Sequence, residues 1–333
     1  KFLNFRKKLN SSKVKKKFKK IIENNNQLIL SLSSNYKNSF KKKQLSSYKK
    51  YNDFRLIGMG GSILGAQTIY DFLKKKIKKN FLFVDNLKHK QIKNLKKNKF
   101  VNLIISKSGN TVETIVNANI LIKKKDKNLF ITENKNNYLY SLAKKLEGEV
   151  IHHNNFIGGR YSVLSEVGMV PAELMGLESN NFRQLNTLIK NKKFINSLIK
   201  NVGTILYFIK NKKFNSIIIN YDNESESLFQ WYQQLVAESL GKRKKGVLPI
   251  VSNMPKDNHS VMQLYLDGFK NNFFTFFYAY KKNSDKVKSN SILLSQKFLK
   301  NKNLSHIMYA QKKATENVFR KKNIPFRSFE IIK

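Results

Sequence analysis

Short apolar segments that alternate with amphipathic helices are the feature that most constrains this chain. From Asp53 onward, apolar runs of about five residues are separated by stretches with helical periodicity, and a Lys-rich helix containing His89 is predicted after the second run. The predicted strands of the first half are 54–58, 81–85, 100–106, 128–132 and 149–153. This alternation indicates a parallel, doubly wound α/β sheet.

The second half of the chain repeats this pattern. Strands are predicted at 215–221, 246–252, 273–280 and towards 332, with helices at 224–241, from about His259 and from 303. A chain of 333 residues exceeds the ~250–300 residues at which single cores stop growing. We therefore predict a helical N-terminal segment (1–49), a first α/β domain (50–176) and a second α/β domain (177–333).

Composition excludes several classes of protein. The chain has no cysteine, which excludes disulfide scaffolds, thiolate zinc sites and a cysteine nucleophile. It has neither an apolar run near the ~18 residues of a membrane span nor a signal-peptide pattern, so we expect a cytoplasmic protein with no membrane partner. Because the sequence starts without Met and stops in the apolar run SFEIIK, we expect a fragment that lacks both termini.

The net charge of +44 raises the question of nucleic-acid binding. Only seven of the 65 basic residues are Arg, the side chain best suited to bidentate phosphate and guanine contacts. The lysines occur in short dispersed runs together with abundant Asn, Ile and Phe, a composition that follows from A/T-rich codons. This distribution favours a solvated lysine surface and no nucleic-acid partner, and a nucleic-acid-binding protein is kept as an alternative.

A glycine-rich turn, Gly58-Met59-Gly60-Gly61-Ser62-Ile63-Leu64-Gly65, follows the first predicted strand. Its glycines would let the backbone approach a ligand closely, and Ser62 could cap the next helix or donate a hydrogen bond. The turn is similar to a dinucleotide fingerprint with Asp85 on the next strand, but the third glycine would fall at Ile63. A nicotinamide or flavin site is therefore disfavoured, and a glycine-rich turn without a ligand is the other alternative.

A second loop, Ser106-Lys107-Ser108-Gly109-Asn110-Thr111, follows the third predicted strand and opens a helix. Three hydroxyls, one ammonium and a helix N-terminus together suit a phosphomonoester. Hydroxyl residues at such junctions are often only helix caps, but one cap does not need three of them. The pattern favours anion binding.

Five motifs in collinear order resemble the glucose-6-phosphate isomerase family. They are GMGGSILG (58–65), SKSGNTVET (106–114), IGGRYSVLS (157–165), ESLGK (238–242) and DNHSVMQ (257–263). The resemblance extends from about residue 50 to the 270s. It implies two sugar-isomerase-like domains, each a mainly parallel sheet flanked by helices, in a homodimer that uses no cofactor and no metal.

The resemblance also implies roles for individual residues. The substrate phosphate would be held by Ser106, Lys107, Ser108 and Thr111, with Gly61 and Ser62 near the sugar. The catalytic residues would be Glu238, His259 and Arg160. Glu238 would carry a proton between C1 and C2 through a cis-enediol, His259 would open the ring, and Arg160 would stabilise the enediolate, which interconverts glucose 6-phosphate and fructose 6-phosphate.

Departures from the family pattern leave other functions open. Many members have a Thr- and Phe-rich phosphate loop, and Leu240 stands where Asn is common. The family's catalytic lysine is expected on a helix beyond the end of this sequence, so neither Lys312 nor Lys313 is assigned that role. The alternatives are a dual phosphoglucose/phosphomannose isomerase and a non-catalytic sugar-phosphate-binding regulator. Retention of Glu238, His259 and Arg160 together disfavours the regulator.

Overall fold

A computed structural model describes residues 1–7, 9–88, 100–288 and 292–332. The chain divides into two compact units. The first unit comprises Lys17–Ile195, and the second comprises Lys1–Lys16 together with Asn196–Lys333. The sequence-based borders 1–49, 50–176 and 177–333 stay predictions, and the Lys-rich helix predicted around His89 lies outside the described residues.

The first unit is built on a parallel five-stranded sheet. Its strands are β1 (Asp53–Gly58), β2 (Asn80–Val84), β3 (Val101–Ile105), β4 (Lys127–Thr132) and β5 (Glu149–His152). Their order is β2-β1-β3-β4-β5, and every neighbouring pair is parallel. All five residues of β3 are buried, as expected for a central strand covered on both faces.

Helices and the sheet together form the core of the first unit. The helices that begin and end within it are α2 (Gln27–Ser31), α3 (Ser46–Lys49), α4 (Leu64–Phe72), α5 (Val112–Leu121), α6 (Tyr138–Lys145), α7 (Glu166–Leu174) and α8 (Leu185–Lys190). Ile57, Ile104 and Phe130 of the sheet pack with Ala118 of α5 and Leu139 of α6. This packing fixes the carboxyl ends of β1, β3 and β4 at one edge of the sheet.

The second unit contains a parallel four-stranded sheet. Its strands are β6 (Asn215–Asn220), β7 (Leu248–Asn253), β8 (Asn272–Tyr280) and β9 (Phe326–Ile332), in the order β7-β6-β8-β9. Helices α10 (Glu226–Leu240), α11 (Met262–Asp267) and α12 (Leu304–Lys321) connect them. Phe274 and Phe276 pack against Phe319 of α12 in the core. Two further helices, α1 (Ser12–Glu23) and α9 (Lys192–Lys210), cross the borders between the units.

The first residues of the chain belong to the second unit. The backbone of Leu3 forms an antiparallel bridge with Phe326 at the start of β9. Phe2 is 3% exposed and packs edge-on against Phe208 of α9 and Phe273 of β8. Phe2 thus completes a hydrophobic cluster with Phe208, Val247 and Phe273 of the second unit.

The two-sheet α/β architecture predicted from the sequence is confirmed, with strand bounds that differ by one or two residues. The prediction that a helix begins at His259 is wrong. A 3₁₀ turn occupies Lys256–His259, and α11 begins at Met262. Among the described residues, no helix is both long enough and apolar enough to cross a membrane.

Candidate functional site

The loop 106–111 joins the carboxyl end of β3 to the first turn of α5. Ser106 Oγ and Thr111 Oγ1 are 2.9 Å apart, and the N–H of Gly109 donates to Ser106 Oγ at 3.2 Å. Ser106 is 2% exposed, so its hydroxyl braces the loop from inside. Ser108 is exposed and Thr111 is the N-cap residue of α5, where the first N–H groups of a helix have no intrahelical acceptor. The loop is therefore suited to an anion.

The glycine-rich turn at the end of β1 lies against the GGRYS segment. A Cβ on Gly61 would lie 2.2 Å from the carbonyl carbon and oxygen of Gly159, so only glycine permits this approach. Ser162 Oγ donates to the carbonyl oxygen of Gly159 at 2.6 Å and lies 3.3 Å from that of Gly61. Ser62 is not the cap of α4, since Ile63 is the N-cap residue. Two motifs that are a hundred residues apart in sequence are thus brought together.

Arg160 lies on the 3₁₀ segment Gly159–Leu164 and is partly buried. Its guanidinium carbon lies 4.5 Å from the centre of the Tyr161 ring. Because the backbone N of Arg160 would be 2.7 Å from a Cβ on Gly61, the glycine-rich turn directly adjoins this arginine. The backbone of Arg160 therefore adjoins the turn after β1, and its guanidinium lies on the Tyr161 ring.

Lys107 is held by partners that sequence reasoning missed. Its Nζ donates to the carbonyl oxygen of Asn155 at 2.7 Å and lies 3.5 Å from Glu133 Oε1. Glu133, which follows β4, also pairs with Lys135. Burial raises the pKa of Glu133, but the hydrogen bond and charge of Lys135 and the charge of Lys107 outweigh this and lower it. The carboxylate thus stays ionised and holds the ammonium of Lys107.

The segment 132–138 supports the same loop through its backbone. Asn137 caps α6, and its Oδ1 would lie 1.9 Å from a Cβ on Gly109, whose φ is +69°. The N–H of Leu139 donates to the carbonyl oxygen of Gly109, and that of Tyr138 donates to Asn110 Oδ1. The Asn-rich sequence directly after β4 could have indicated this support of the loop 106–111. The reason is that β4 is the neighbour of β3 and ends at the same edge of the sheet.

Glu238 and His259 belong to the second unit, and they lie at opposite ends of its strands: Glu238 at the amino end and His259 at the carboxyl end. Glu238 is in the last turn of α10, just before β7 begins, and accepts a hydrogen bond from Gln234 at 2.8 Å. His259 is exposed and follows the carboxyl end of β7. The six residues of β7 span roughly 17–20 Å between them. One copy of this unit therefore keeps the two groups well apart.

No metal centre is apparent in the part of the chain that the structure describes. Within those residues, no three His, Asp or Glu side chains converge as metal ligands would.

The chain has two parallel α/β sheets of the sugar-isomerase-like kind, and the loop at the carboxyl end of β3 is suited to an anion. The sequence profile of the Phosphoglucose isomerase family matches residues 39–331. The chain belongs to the phosphoglucose isomerase family, which makes it an aldose–ketose isomerase of glycolysis.

One curated relative supports this assignment, and two solved structures share the fold. The chain is 34% identical over 299 residues to the glucose-6-phosphate isomerase of Methanocaldococcus jannaschii, covering 84% of this chain and 74% of that one. Its fold is similar to that of a hypothetical protein from Thermus thermophilus, with a TM-score of 0.80 at 20% identity over 97% of this chain and 83% of the other. A glucose-6-phosphate isomerase from Chlamydia trachomatis gives a TM-score of 0.64 at 17% identity, covering 87% and 64%.

Proposed function

We propose that this protein interconverts glucose 6-phosphate and fructose 6-phosphate in the cytoplasm, without a cofactor. The observation that carries the proposal is the anion loop 106–111 at the end of β3. It lies one strand away from the turn at Gly61, which adjoins Arg160. A phosphate on the loop and an arginine beside the neighbouring turn fit a phosphorylated substrate whose reacting end becomes negatively charged.

The phosphate end of the substrate is assigned to Ser108, Thr111 and Lys107, with Ser106 as an internal brace. Ser108 is exposed, Thr111 is partly exposed with its hydroxyl 2.9 Å from Ser106 Oγ, and the N–H groups of the first turn of α5 add donors. Lys107 supplies the cation. Gly61 and Ser62 lie at the end of the adjacent strand, where the sugar would extend from the phosphate.

The proton transfer is assigned to Glu238. Isomerisation requires a base that takes the proton from C2 and returns it to C1, and one carboxylate can do both through a cis-enediol. Arg160 would stabilise the enediolate oxygen as its charge develops, because a fixed cation needs no rearrangement at that moment. His259 would open the sugar ring, since imidazole exchanges protons near neutral pH.

The placement of the two groups supports the proposal of a homodimer with shared sites. Glu238 and His259 lie at opposite ends of the strands of one sheet, roughly 17–20 Å apart along β7. A single substrate can meet both only if they come from different copies of the chain. We therefore assign the histidine of each site to the partner subunit.

Replacement of Glu238 by Gln in the full-length protein tests the chemistry. Gln keeps the shape and the hydrogen bond but cannot accept a proton, so turnover should fall by about 10²–10⁴-fold while phosphate affinity stays nearly constant. With substrate deuterated at C2, both transfer to C1 and exchange with water should vanish together, and ring opening should persist.

The matched control is Glu226→Gln, an exposed carboxylate in the first turn of the same helix. That variant should isomerise at the wild-type rate. Wild-type exchange of the C2 deuterium in Glu238→Gln would remove Glu238 from the role. Assays with mannose 6-phosphate separate the single-substrate enzyme from the dual isomerase.

Mixing two inactive variants tests the shared site. Full-length Glu238→Gln and His259→Ala chains should each be inactive, and heterodimers should regain one intact site. The activity of each heterodimer should therefore rise towards about half of that of a wild-type dimer, as measured after mass spectrometry confirms subunit exchange. Heterodimers without activity would show that each chain carries a self-contained site.

A further inference from the structure

The turn 154–157 lies between the end of β5 and the GGRYS segment. The N–H of Ile157 donates to the carbonyl oxygen of Asn154 at 3.2 Å, which is the hydrogen bond that closes a β-turn. The carbonyl oxygen of Asn155, the second residue of this turn, accepts from Lys107 Nζ at 2.7 Å. The conformation of the turn therefore decides where the ammonium of the proposed phosphate loop is held.

The imidazole of His153 supports this turn from the interior of the first unit. His153 directly follows β5 and is 1% exposed. Its Nδ1 lies 3.0 Å from the carbonyl oxygen of Asn154, the same oxygen that closes the turn. Because a carbonyl oxygen can only accept, Nδ1 carries a proton and donates it to this bond, and in the neutral ring Nε2 is then the unprotonated nitrogen.

The surroundings of His153 favour the neutral ring. Burial lowers the pKa of His153 below its ordinary value of 6.5, and the charge of Lys107 lowers it further. The hydrogen bond with Asn154 and the carboxylates of Glu166 and Glu133 oppose this shift without reversing it. Nε2 is buried and has no hydrogen-bond partner among the described residues, so a proton on it would lack an acceptor. At about pH 8 the imidazole therefore acts through Nδ1.

The side chain of Asn154 forms further hydrogen bonds with the turn and its neighbours. Its Oδ1 accepts from the N–H of Phe156 at 3.0 Å, and its Nδ2 donates to Gln27 Oε1 at 3.2 Å. A longer contact of 3.4 Å joins Nδ2 to Tyr36 Oη. The first two bonds are exposed, so water competes for the same groups and each bond adds little to stability. The buried ring of His153 is shielded from that competition, and its hydrogen bond is therefore the stronger restraint on the turn.

Lys107 has a second anchor besides the turn. Its Nζ lies 3.5 Å from Glu133 Oε1, and its side chain is 30% exposed. If the carbonyl oxygen of Asn155 moved away, the carboxylate would draw the ammonium towards itself, because their charge attraction remains. We propose that His153 is a positioning residue for Lys107: its Nδ1–H holds the turn in which the Asn155 carbonyl keeps the ammonium within reach of the substrate phosphate. This inference rests on the proposed phosphate site at the loop 106–111.

Two substitutions of His153 in the full-length protein separate its hydrogen bond from its packing. His153→Leu keeps an apolar body in the core but has no donor for the Asn154 carbonyl. The Michaelis constant for glucose 6-phosphate should rise about tenfold at about pH 8, where the substrate phosphate is fully ionised. Turnover should change less than about twofold, because Ser162 holds the segment of Arg160 through hydrogen bonds of its own. His153→Asn offers an amide N–H near the place of Nδ1 and should keep most of the wild-type Michaelis constant.

A double-mutant cycle with Lys107→Met tests whether His153 acts through the lysine. Lys107→Met alone should raise the Michaelis constant roughly ten- to hundredfold, since it removes a charged partner of the phosphate. When His153→Leu is added to Lys107→Met, the constant should rise by less than about a further twofold, because the ammonium to be positioned is gone. An equal rise from His153→Leu in both backgrounds would make His153 a packing residue and overturn the proposal.

Ile151→Ala is the matched control, since Ile151 lies on the same strand, is 2% exposed and has no polar group in its side chain. This variant should unfold at a lower denaturant concentration and keep the wild-type Michaelis constant. If Lys107→Met leaves the Michaelis constant unchanged, the phosphate assignment of Lys107 is wrong and the role of His153 falls with it. If Lys107→Met raises the constant but His153→Leu does not, the phosphate site stands and the role of His153 alone is overturned.

Discussion

The two sheets have the same kind of switch point but opposite chemistry at their carboxyl edges. In the first unit, the turns after β1 and β3 consist of glycines, hydroxyls and one lysine. In the second unit, the corresponding segments after β6 and β8 carry Tyr221 and an ion-paired group of Asp222, Glu224 and Lys281. The fold thus fixes where a ligand can bind, and the side chains in the turns decide which ligand that is.

Backbone conformation explains much of this difference. At the first edge, Gly61 and Gly109 allow segments to approach within distances that a Cβ would forbid, which leaves N–H groups and small hydroxyls at the surface. At the second edge, larger side chains occupy the same position, so a cavity with side-chain walls forms there. The first edge is therefore suited to an anion, whereas the second presents larger side chains.

The largest effect is expected for Gly109→Ala, which disrupts the loop 106–111 at the carboxyl end of β3. At φ +69° an alanine is strained, and its Cβ would lie 1.9 Å from Asn137 Oδ1, so the loop must shift. We expect a loss of about 1–3 kcal/mol in the free energy of unfolding. The Michaelis constant for glucose 6-phosphate should rise roughly a hundredfold, because several charge-assisted hydrogen bonds are misplaced together. Denaturant titration and steady-state kinetics measure the two quantities.

Gly176→Ala is the matched control for that prediction. Gly176 has φ +86°, but nothing lies within 4 Å of an added Cβ. The variant should lose stability from backbone strain and keep its Michaelis constant. Equal Michaelis constants for the two variants would show that the loop geometry around Gly109 does not govern substrate binding.

A smaller effect is expected for Thr111→Ala and Ser108→Ala. Each hydroxyl would donate to a charged phosphate oxygen, a hydrogen bond worth about 1.5–3 kcal/mol, so the Michaelis constant should rise roughly ten- to hundredfold with little change in turnover. Ser141→Ala, an exposed serine on α6 of the same unit, should have no effect. If both loop variants keep the wild-type Michaelis constant, the phosphate lies elsewhere.

The smallest effect is expected at the second edge, for Lys281→Met. Burial lowers the pKa of Lys281, but the hydrogen bond to Glu224 and the charge of Asp222 outweigh this and raise it. A raised folded-state pKa contributes stability that is complete below the unfolded value of about 10.4 and is lost as the pH rises through the folded value. At pH 7 the variant should be less stable by about 1–2 kcal/mol, and this deficit should shrink above about pH 10.4.

Lys282→Met, at the next and exposed position, is the control and should show no such pH-dependent deficit. Both variants should keep the wild-type Michaelis constant for glucose 6-phosphate. A change in that constant for Lys281→Met would mean that the two edges are not chemically independent.

Most of the fold could be predicted from the sequence, because the strands are short apolar runs and the helices are longer segments with helical spacing of their apolar residues. The loop 106–111 was also predictable, since its hydroxyls directly follow a buried strand. The support of Lys107 by Glu133 and Asn155 was not, because these partners come from other strands and have ordinary polar sequences. The helix predicted to begin at His259 failed because the polar run before it forms a 3₁₀ turn, in which Asp257 binds the backbone N–H of Asn253. The cavity at the carboxyl ends of β6 and β8 could not be predicted, since its walls come from segments that are distant in sequence.

The bridge between Leu3 and Phe326 has a consequence for the order in which the two units fold during synthesis. Phe2 leaves the ribosome roughly 320 residues before Phe326, a delay of about 15–65 s at 5–20 residues per second. Residues 17–195 can complete their own sheet in that interval, before the partners of the apolar segment around Phe2 are made. The second unit therefore closes after the first, around a segment that is made before residues 17–195.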